Sequence, residues 1–397
     1  MEFKSSYLGG KLFLLVYILA VFSFQELLFR YVFPVPELKN LDRAIFWNVN
    51  PKNPKLNFQR NGTKYWGSSL DTSKKFIHDM NMYGFRDTEW LLERKEGRKR
   101  ILFIGDSFVE GIMAEQDETI PVGFLKGFKV DAEVMNAGMV GQGLSVYLQL
   151  MADLIPNYKP DLAVLCVYSN DMGPDEPIVP QYYLEPQPYG QFTPRVLDVV
   201  EQLMRGNPLL TRWGGEAQPF LNAVPEKSNP WTDHEDKLRR RVTDRIAEEM
   251  IKGSFNPART NDLFIEEHYL KQSPNLGETI PFFRHVCEQN GTEPLVVYIP
   301  SKNQVSNAYL KYEFEMCLEA CNDSIDLTKP AYQLHQKIIA DQCRAFGLNF
   351  IDLSNQLRAK EAANNRLFWN YDEHMRGHGY LLCGEMIFDR WERQMFE

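Results

Sequence analysis

From residue 99 onward, short uninterrupted apolar runs alternate with longer stretches in which apolar residues recur at helical spacing. The runs are KRILFIGD at 99–106, AEVMNAG at 132–138, DLAVLCVYSND at 161–171, PLVVYIP at 294–300 and NFIDLS at 349–354. Apolar runs of this length, unbroken by polar residues, fit strands buried on both faces. The intervening stretches predict helices at 119–128, 144–155 and 332–346, with a last helix after Gly379. Strand and helix in alternation predict the α/β class: a three-layer α/β/α sandwich around a five-stranded parallel sheet, doubly wound.

Ahead of this domain the pattern changes. Residues 12–24, LFLLVYILAVFSF, are apolar apart from Ser23, follow Lys4 and Lys11, and are extended by Leu27, Leu28 and Phe29. A helix apolar on all faces has no side to show water, so residues 1–33 read as a membrane anchor, with Tyr31 and Phe33 as interfacial aromatics. No A-x-A-like cleavage site follows, which favours an uncleaved single-pass anchor over a cleaved signal peptide. The expected location of the large C-terminal part is periplasmic or extracellular. Residues 34–98 read as an irregular juxtamembrane region ending in the charged run 89–98, and 99–397 as the main domain.

That domain is interrupted over 173–272. The interruption opens on PIVPQYYLEPQPYGQF at 177–192 and then carries EDKLRRRVTDRIAEEMIKG at 235–253. There Leu238, Val242, Ile246 and Met250 fall four apart, which predicts one amphipathic helix with a charged outer face. The segment leaves the chain just after the third strand. It reads either as a solvated decoration or as a cap over the carboxyl ends of the strands, where open α/β sheets bind ligands, with Tyr182 and Tyr183 shaping the pocket.

Composition narrows the chemistry. The formal charge is -9, with 44 basic and 53 acidic residues, and no basic stripe, so no nucleic-acid partner is expected. The six cysteines, Cys166, Cys287, Cys317, Cys321, Cys343 and Cys383, form no CxxC pair and read as buried thiols; Cys317 and Cys321 are close enough to close a small disulfide loop in an oxidising compartment. The strand ends hold the informative residues. After the first strand, Gly105 lets the backbone turn and Ser107 stands at the start of the next helix, as a nucleophile or as a helix cap. The second strand ends in NAGMVGQG at 136–143, a turn with backbone amides free to face a ligand, and the third ends in Asn170, a side-chain amide donor. Acyl transfer needs such donors, because negative charge builds on the former carbonyl oxygen. Near the C-terminus, His374 supplies a base suited to neutral pH, and Asp372 a carboxylate to hold its tautomer. His78, His234, His268, His285 and His335 are assigned surface or packing roles.

Taken in order, these blocks resemble the SGNH hydrolases, the GDSL-type esterases and lipases, from residue 99 to the C-terminus. The correspondences are Ser107 in IGDSFVEG, Gly141 in NAGMVGQG, Asn170 in YSND and His374 in DEHMRGHGY; NMYGFRD at 81–87 is similar to the lead-in of membrane-linked bacterial members. The resemblance implies a flavodoxin-like sheet and attack by Ser107. It implies an oxyanion hole made of the Ser107 amide, Gly141 and Asn170, a triad completed by Asp372 and His374, and a structural Asp106. Two positions depart from the family's pattern: Tyr168 stands where a glycine is usual, and one residue, Glu373, separates Asp372 from His374 where two are usual. The spacing of His374 and His378 also suits two zinc ligands on one helix, but Met375 stands where H-E-x-x-H proteins carry glutamate and Gly377 weakens the helix. No metal or cofactor is expected. The function expected is a serine esterase acting on an acyl ester, acetyl above all, outside the cytoplasm. The alternatives are an O-acyltransferase modifying a surface polysaccharide and a non-catalytic glycan-binding or scaffold protein. A glycan or lipid is the expected ester carrier, and oligomeric state is left open.

Overall fold

The computed structural model describes residues 3–32, 64–67, 69–81, 84–172, 218–219, 229, 231–252, 269–270, 275–317, 325–363 and 365–396. Five strands form the main sheet: β3 (Lys99–Gly105), β4 (Ala132–Gly138), β5 (Leu162–Tyr168), β7 (Glu293–Ile299) and β8 (Asn349–Asp352), in the order β4-β3-β5-β7-β8 and all parallel. A smaller sheet joins β1 (Lys64–Gly67), β2 (Phe76–Asp79) and β6 (Gln218–Pro219).

Side chains alternate between two cores, as the twofold period of a strand requires. Leu102, Ile104, Ala163, Leu165, Val167, Val296 and Tyr298 face one layer, with helices Leu144–Tyr158, Leu276–Asn290 and Leu334–Ala345. Ile101, Phe103, Val164, Cys166, Tyr168, Leu295, Val297 and Ile299 face the other, with helices Ile120–Leu125, Ser354–Ala362 and Gly377–Phe396. This is the three-layer sandwich expected from the apolar runs. In the second layer the last helix crosses Ile120–Leu125 in backbone contact, because a Cβ at Gly123 would collide with the Leu381 carbonyl and one at Gly384 with the Ile120 carbonyl.

From β3 the chain moves outward to β4, then returns to β5 on the other side of β3. The crevice of an open parallel sheet lies at that reversal, outside the carboxyl ends of β3 and β5. Ser107 follows β3 and Asn170 follows β5.

The region expected to be irregular before residue 99 contributes to the core. Phe85 and Trp90 stack at 4.6 Å within the first layer. Arg86 is almost fully buried, and its guanidinium donates to the carbonyls of Ile77 (3.0 Å), Ala114 (2.8 Å) and Gly111 and to the Gln116 side chain. The Asp87 carboxylate accepts from the Asn136 amide at 2.8 Å, and burial raises its pKa to about 6. No periodic pattern announces the contacts of Arg86 and Asp87, because they are polar and distant in sequence.

Within the interruption, the expected single helix is two, Glu235–Arg239 and Asp244–Ile251, parted where Thr243 takes up extended backbone. Its apolar face is nonetheless the expected one: Leu238, Val242, Ile246 and Met250 are all buried, around Trp231, Leu70, Met316 and Tyr371. Tyr182 and Tyr183, like most of 173–272, lie outside the described residues. Cys166, Cys287, Cys343 and Cys383 are buried free thiols and Cys317 is buried, while Cys321 lies outside the described residues. The N-terminal helix Phe3–Tyr31 holds a 19-residue apolar span, Gly10–Leu28, largely exposed. At about 1.5 Å per residue the span reaches roughly 28 Å, enough to cross a bilayer's hydrocarbon core, a length and composition that a signal sequence shares.

Candidate active site

The turn after β3 places Ser107 at the first position of the short helix Ser107–Glu110, capped by the Asp106 carboxylate, which accepts from the Phe108 amide at 2.9 Å. The cap is therefore Asp106, and the Ser107 hydroxyl is left to other work. Burial raises the Asp106 pKa to about 6.

At the other end of the chain, Trp369 and His374 meet across a tight turn, with the Trp369 amide donating to the His374 carbonyl at 3.0 Å. The turn aims His374 back at β3. His374 Nε2 lies 2.8 Å from Ser107 Oγ, and His374 Nδ1 lies 2.6 Å from Asp372 Oδ1. The same carboxylate oxygen accepts the His374 backbone amide at 2.9 Å. One intervening residue therefore suffices, since Asp372 binds backbone and ring of the same histidine. With Nδ1 protonated toward the carboxylate, Nε2 is free to accept the serine proton. Burial opposes charge on the imidazole, but Asp372, helped by Glu373 and Asp106, outweighs it and raises the His374 pKa. Burial likewise pushes Asp372 upward, yet His374 and then Lys302 override it and hold the carboxyl low.

Beneath this turn, Lys302 is buried and donates to the carbonyls of Asn370 (2.8 Å) and Asp372 (3.1 Å), while pairing with Glu313 at 2.6 Å. Sequence reasoning missed both residues, since a lysine after a strand reads as surface. Tyr371 is held as firmly: its amide donates to Asp71 at 3.0 Å and its ring packs against the Trp231 cluster. Tyr168 and Glu373, the two positions singled out in the sequence, approach one another. Tyr168 stacks on Phe108 at 3.8 Å, beside His374, and its hydroxyl lies 3.5 Å from the Glu373 carboxylate.

The remaining candidates stand at the same edge of the sheet. Gly141 follows β4 with φ +68°, a left-handed conformation that favours glycine, and a Cβ there would meet open space. Just before it, the Val140 amide donates to Glu110 Oε2 at 3.0 Å, whose partner oxygen lies 2.8 Å from His78 Nδ1. His78 and His335 are buried, in keeping with packing roles; His234 and His285 are exposed, and His268 lies outside the described residues. Asn170 is exposed in the turn Ser169–Met172, and its side chain makes no hydrogen bond among the described residues. His378 is exposed on the final helix, whereas both ring nitrogens of His374 face Ser107 and Asp372.

No protein-family model matches the chain, nor does any curated protein sequence. Solved structures of similar shape include the lipase/acylhydrolase from Enterococcus faecalis, at 12% identity and TM-score 0.36, covering 75% of this chain and 96% of that one. Another is a two-domain esterase active on acetylated mannans, at 12% identity and TM-score 0.33, covering 76% of this chain and 50% of that one. A third is a gut microbial diltiazem-metabolizing enzyme, at 10% identity and TM-score 0.35, covering 75% and 47%. Likeness at this level concerns the arrangement of strands and helices alone. What the chain does has to be argued from its own side chains.

Proposed function

We propose that this chain is a serine esterase whose nucleophile is Ser107. The observation that carries the reading is the continuous line Ser107 Oγ to His374 Nε2 to Asp372 Oδ1, at 2.8 and 2.6 Å, assembled from segments 267 positions apart. Ser107 Oγ attacks the acyl carbonyl carbon while its proton passes to His374 Nε2, and Asp372 stabilises the resulting imidazolium. The Ser107 amide, the Gly141 amide and the Asn170 side chain receive the oxyanion. Collapse breaks the ester C–O bond, the imidazolium returns its proton to the leaving alcohol, and water repeats the cycle on the acyl-enzyme. Tyr168 fills space that a glycine would leave beside Phe108 and His374, which favours a short acyl group such as acetyl. The N-terminal helix, read as an anchor, holds this domain at a membrane on its extracytoplasmic side.

Fluorophosphonate labelling of the detergent-solubilised full chain, with hydrolysis of p-nitrophenyl acetate measured alongside, tests the proposal. Ser107→Ala should abolish both while leaving the thermal midpoint near wild type. A folded wild-type protein that neither labels nor cleaves small acetyl esters refutes it.

A further inference from the structure

The two loops assigned oxyanion donors are short turns, and one buried hydroxyl reaches both. Tyr147 lies one turn into helix Leu144–Tyr158 and is fully buried. Its hydroxyl is 3.3 Å from the Gln142 carbonyl, next to Gly141, and 3.0 Å from Asp171 Oδ1, next to Asn170. The other Asp171 oxygen accepts the Tyr168 amide at 2.9 Å, folding the Asn170 turn back onto the end of β5. We propose that Tyr147, through Asp171, is a positioning residue that fixes the distance between the Gly141 loop and the Asn170 turn, an inference resting on the oxyanion-hole reading above.

The chemistry suits the task. A hydroxyl carries one proton, and the charged acceptor, Asp171, takes the larger share of it, with the Gln142 carbonyl as second acceptor. Burial and the neighbouring Asp171 raise the Tyr147 pKa well above its usual value, so the proton stays on the hydroxyl at any pH where the enzyme would work. The tyrosine is seated in the first core layer by its ring, on a helix, while the loops it reaches are turns. A helix and two donor-bearing turns are thereby joined by one polar atom, the arrangement a preorganised site needs.

A double-mutant cycle tests this on the detergent-solubilised full chain with p-nitrophenyl acetate as probe. Tyr147→Phe deletes one oxygen and keeps the ring, so kcat should fall roughly tenfold, the worth of one hydrogen bond, with KM little changed. Asn170→Ala should lower kcat by about 10²–10³. In the Asn170→Ala background, Tyr147→Phe should cost much less than in wild type, because one of the donors it aligns is gone. Asp171→Asn, which keeps an acceptor for the Tyr168 amide, should fall between wild type and Tyr147→Phe, and it serves in the same cycle if Tyr147→Phe does not fold. An Asn170→Ala protein with wild-type kcat removes the oxyanion reading and the brace with it. A hundredfold loss in Asn170→Ala, combined with wild-type kcat in Tyr147→Phe or with equal losses in both backgrounds, overturns the brace alone.

Discussion

Lys302→Met should destabilise the protein severely, and Glu313→Leu added to it should restore part of what is lost. Both side chains are about 2% exposed, and Glu313 Oε1 is 2.6 Å from the ammonium. Removing the lysine leaves a carboxylate in a site where burial already raises its pKa. It also strips the donor from the carbonyls of Asn370 and Asp372. Breaking a buried pair by deleting one partner costs about 3–5 kcal/mol, whereas replacing both with apolar residues is often close to neutral. At about 2 °C per kcal/mol for a large domain, the single variant should melt roughly 6–10 °C below wild type. The double variant should recover all but the cost of two orphaned carbonyls. The pH dependence of stability that Glu313 already carries should also grow in the single variant. The folded-state pKa of Glu313 then lies further above its unfolded value, the folded state holds the extra proton between the two, and stability declines as pH rises through that window. Activity should follow a different course, staying low in both variants because the turn carrying Asp372 has lost its tether. Tryptophan fluorescence melts and fluorophosphonate labelling rates, measured on the same samples, separate the two effects. A single variant within about 1 kcal/mol of wild type, or a double variant no more stable than the single, refutes the reasoning from the buried pair.

The raised pKa of His374 places the acidic limb of kcat/KM above the usual histidine value of about 6.5, with activity lost as pH falls through it; Asp372→Asn should move that limb downward, and a wild-type limb below the usual histidine value would contradict the assignment. Arg86→Ala orphans the buried carbonyls of Gly111 and Ala114, along with the part-buried one of Ile77, and should cost about 3 kcal/mol or more in thermal unfolding. Arg86→Lys should recover only part of this, because an ammonium cannot reproduce the planar fork; full recovery would show that charge alone matters there.

The sheet was legible because its central strands are buried on both faces, so that β3, β5 and β7 read as apolar runs whose ends could be located to within three residues. Ser107, Gly141, Asn170 and His374 were legible because each follows or faces a strand end, where polar residues interrupt an apolar text. The break after Arg239 was not, since the apolar spacing of Leu238, Val242, Ile246 and Met250 persists across it. Nor were the roles of Arg86, Lys302 and Glu313, because periodicity reports which face of an element is apolar and says nothing of which distant carbonyl a charged group will meet. Tyr147 illustrates the limit most clearly. Its ring belongs to the apolar stripe of its helix, and only its terminal oxygen distinguishes it from any other core aromatic.

The close crossing between the last helix and Ile120–Leu125 has a consequence for biosynthesis. His374 follows Ser107 by 267 positions, and the helix beginning at Gly377 docks onto the one just downstream of the nucleophile. At translation rates of about 5–20 residues per second, the serine-bearing half exists for roughly 15–50 s before its base is even polymerised. If Ser107 is the nucleophile proposed above, a nascent or prematurely terminated chain carries it without the histidine that would deprotonate it. On the proposed mechanism, ester turnover then requires His374 to have been made and the helix after it to be seated against Ile120–Leu125.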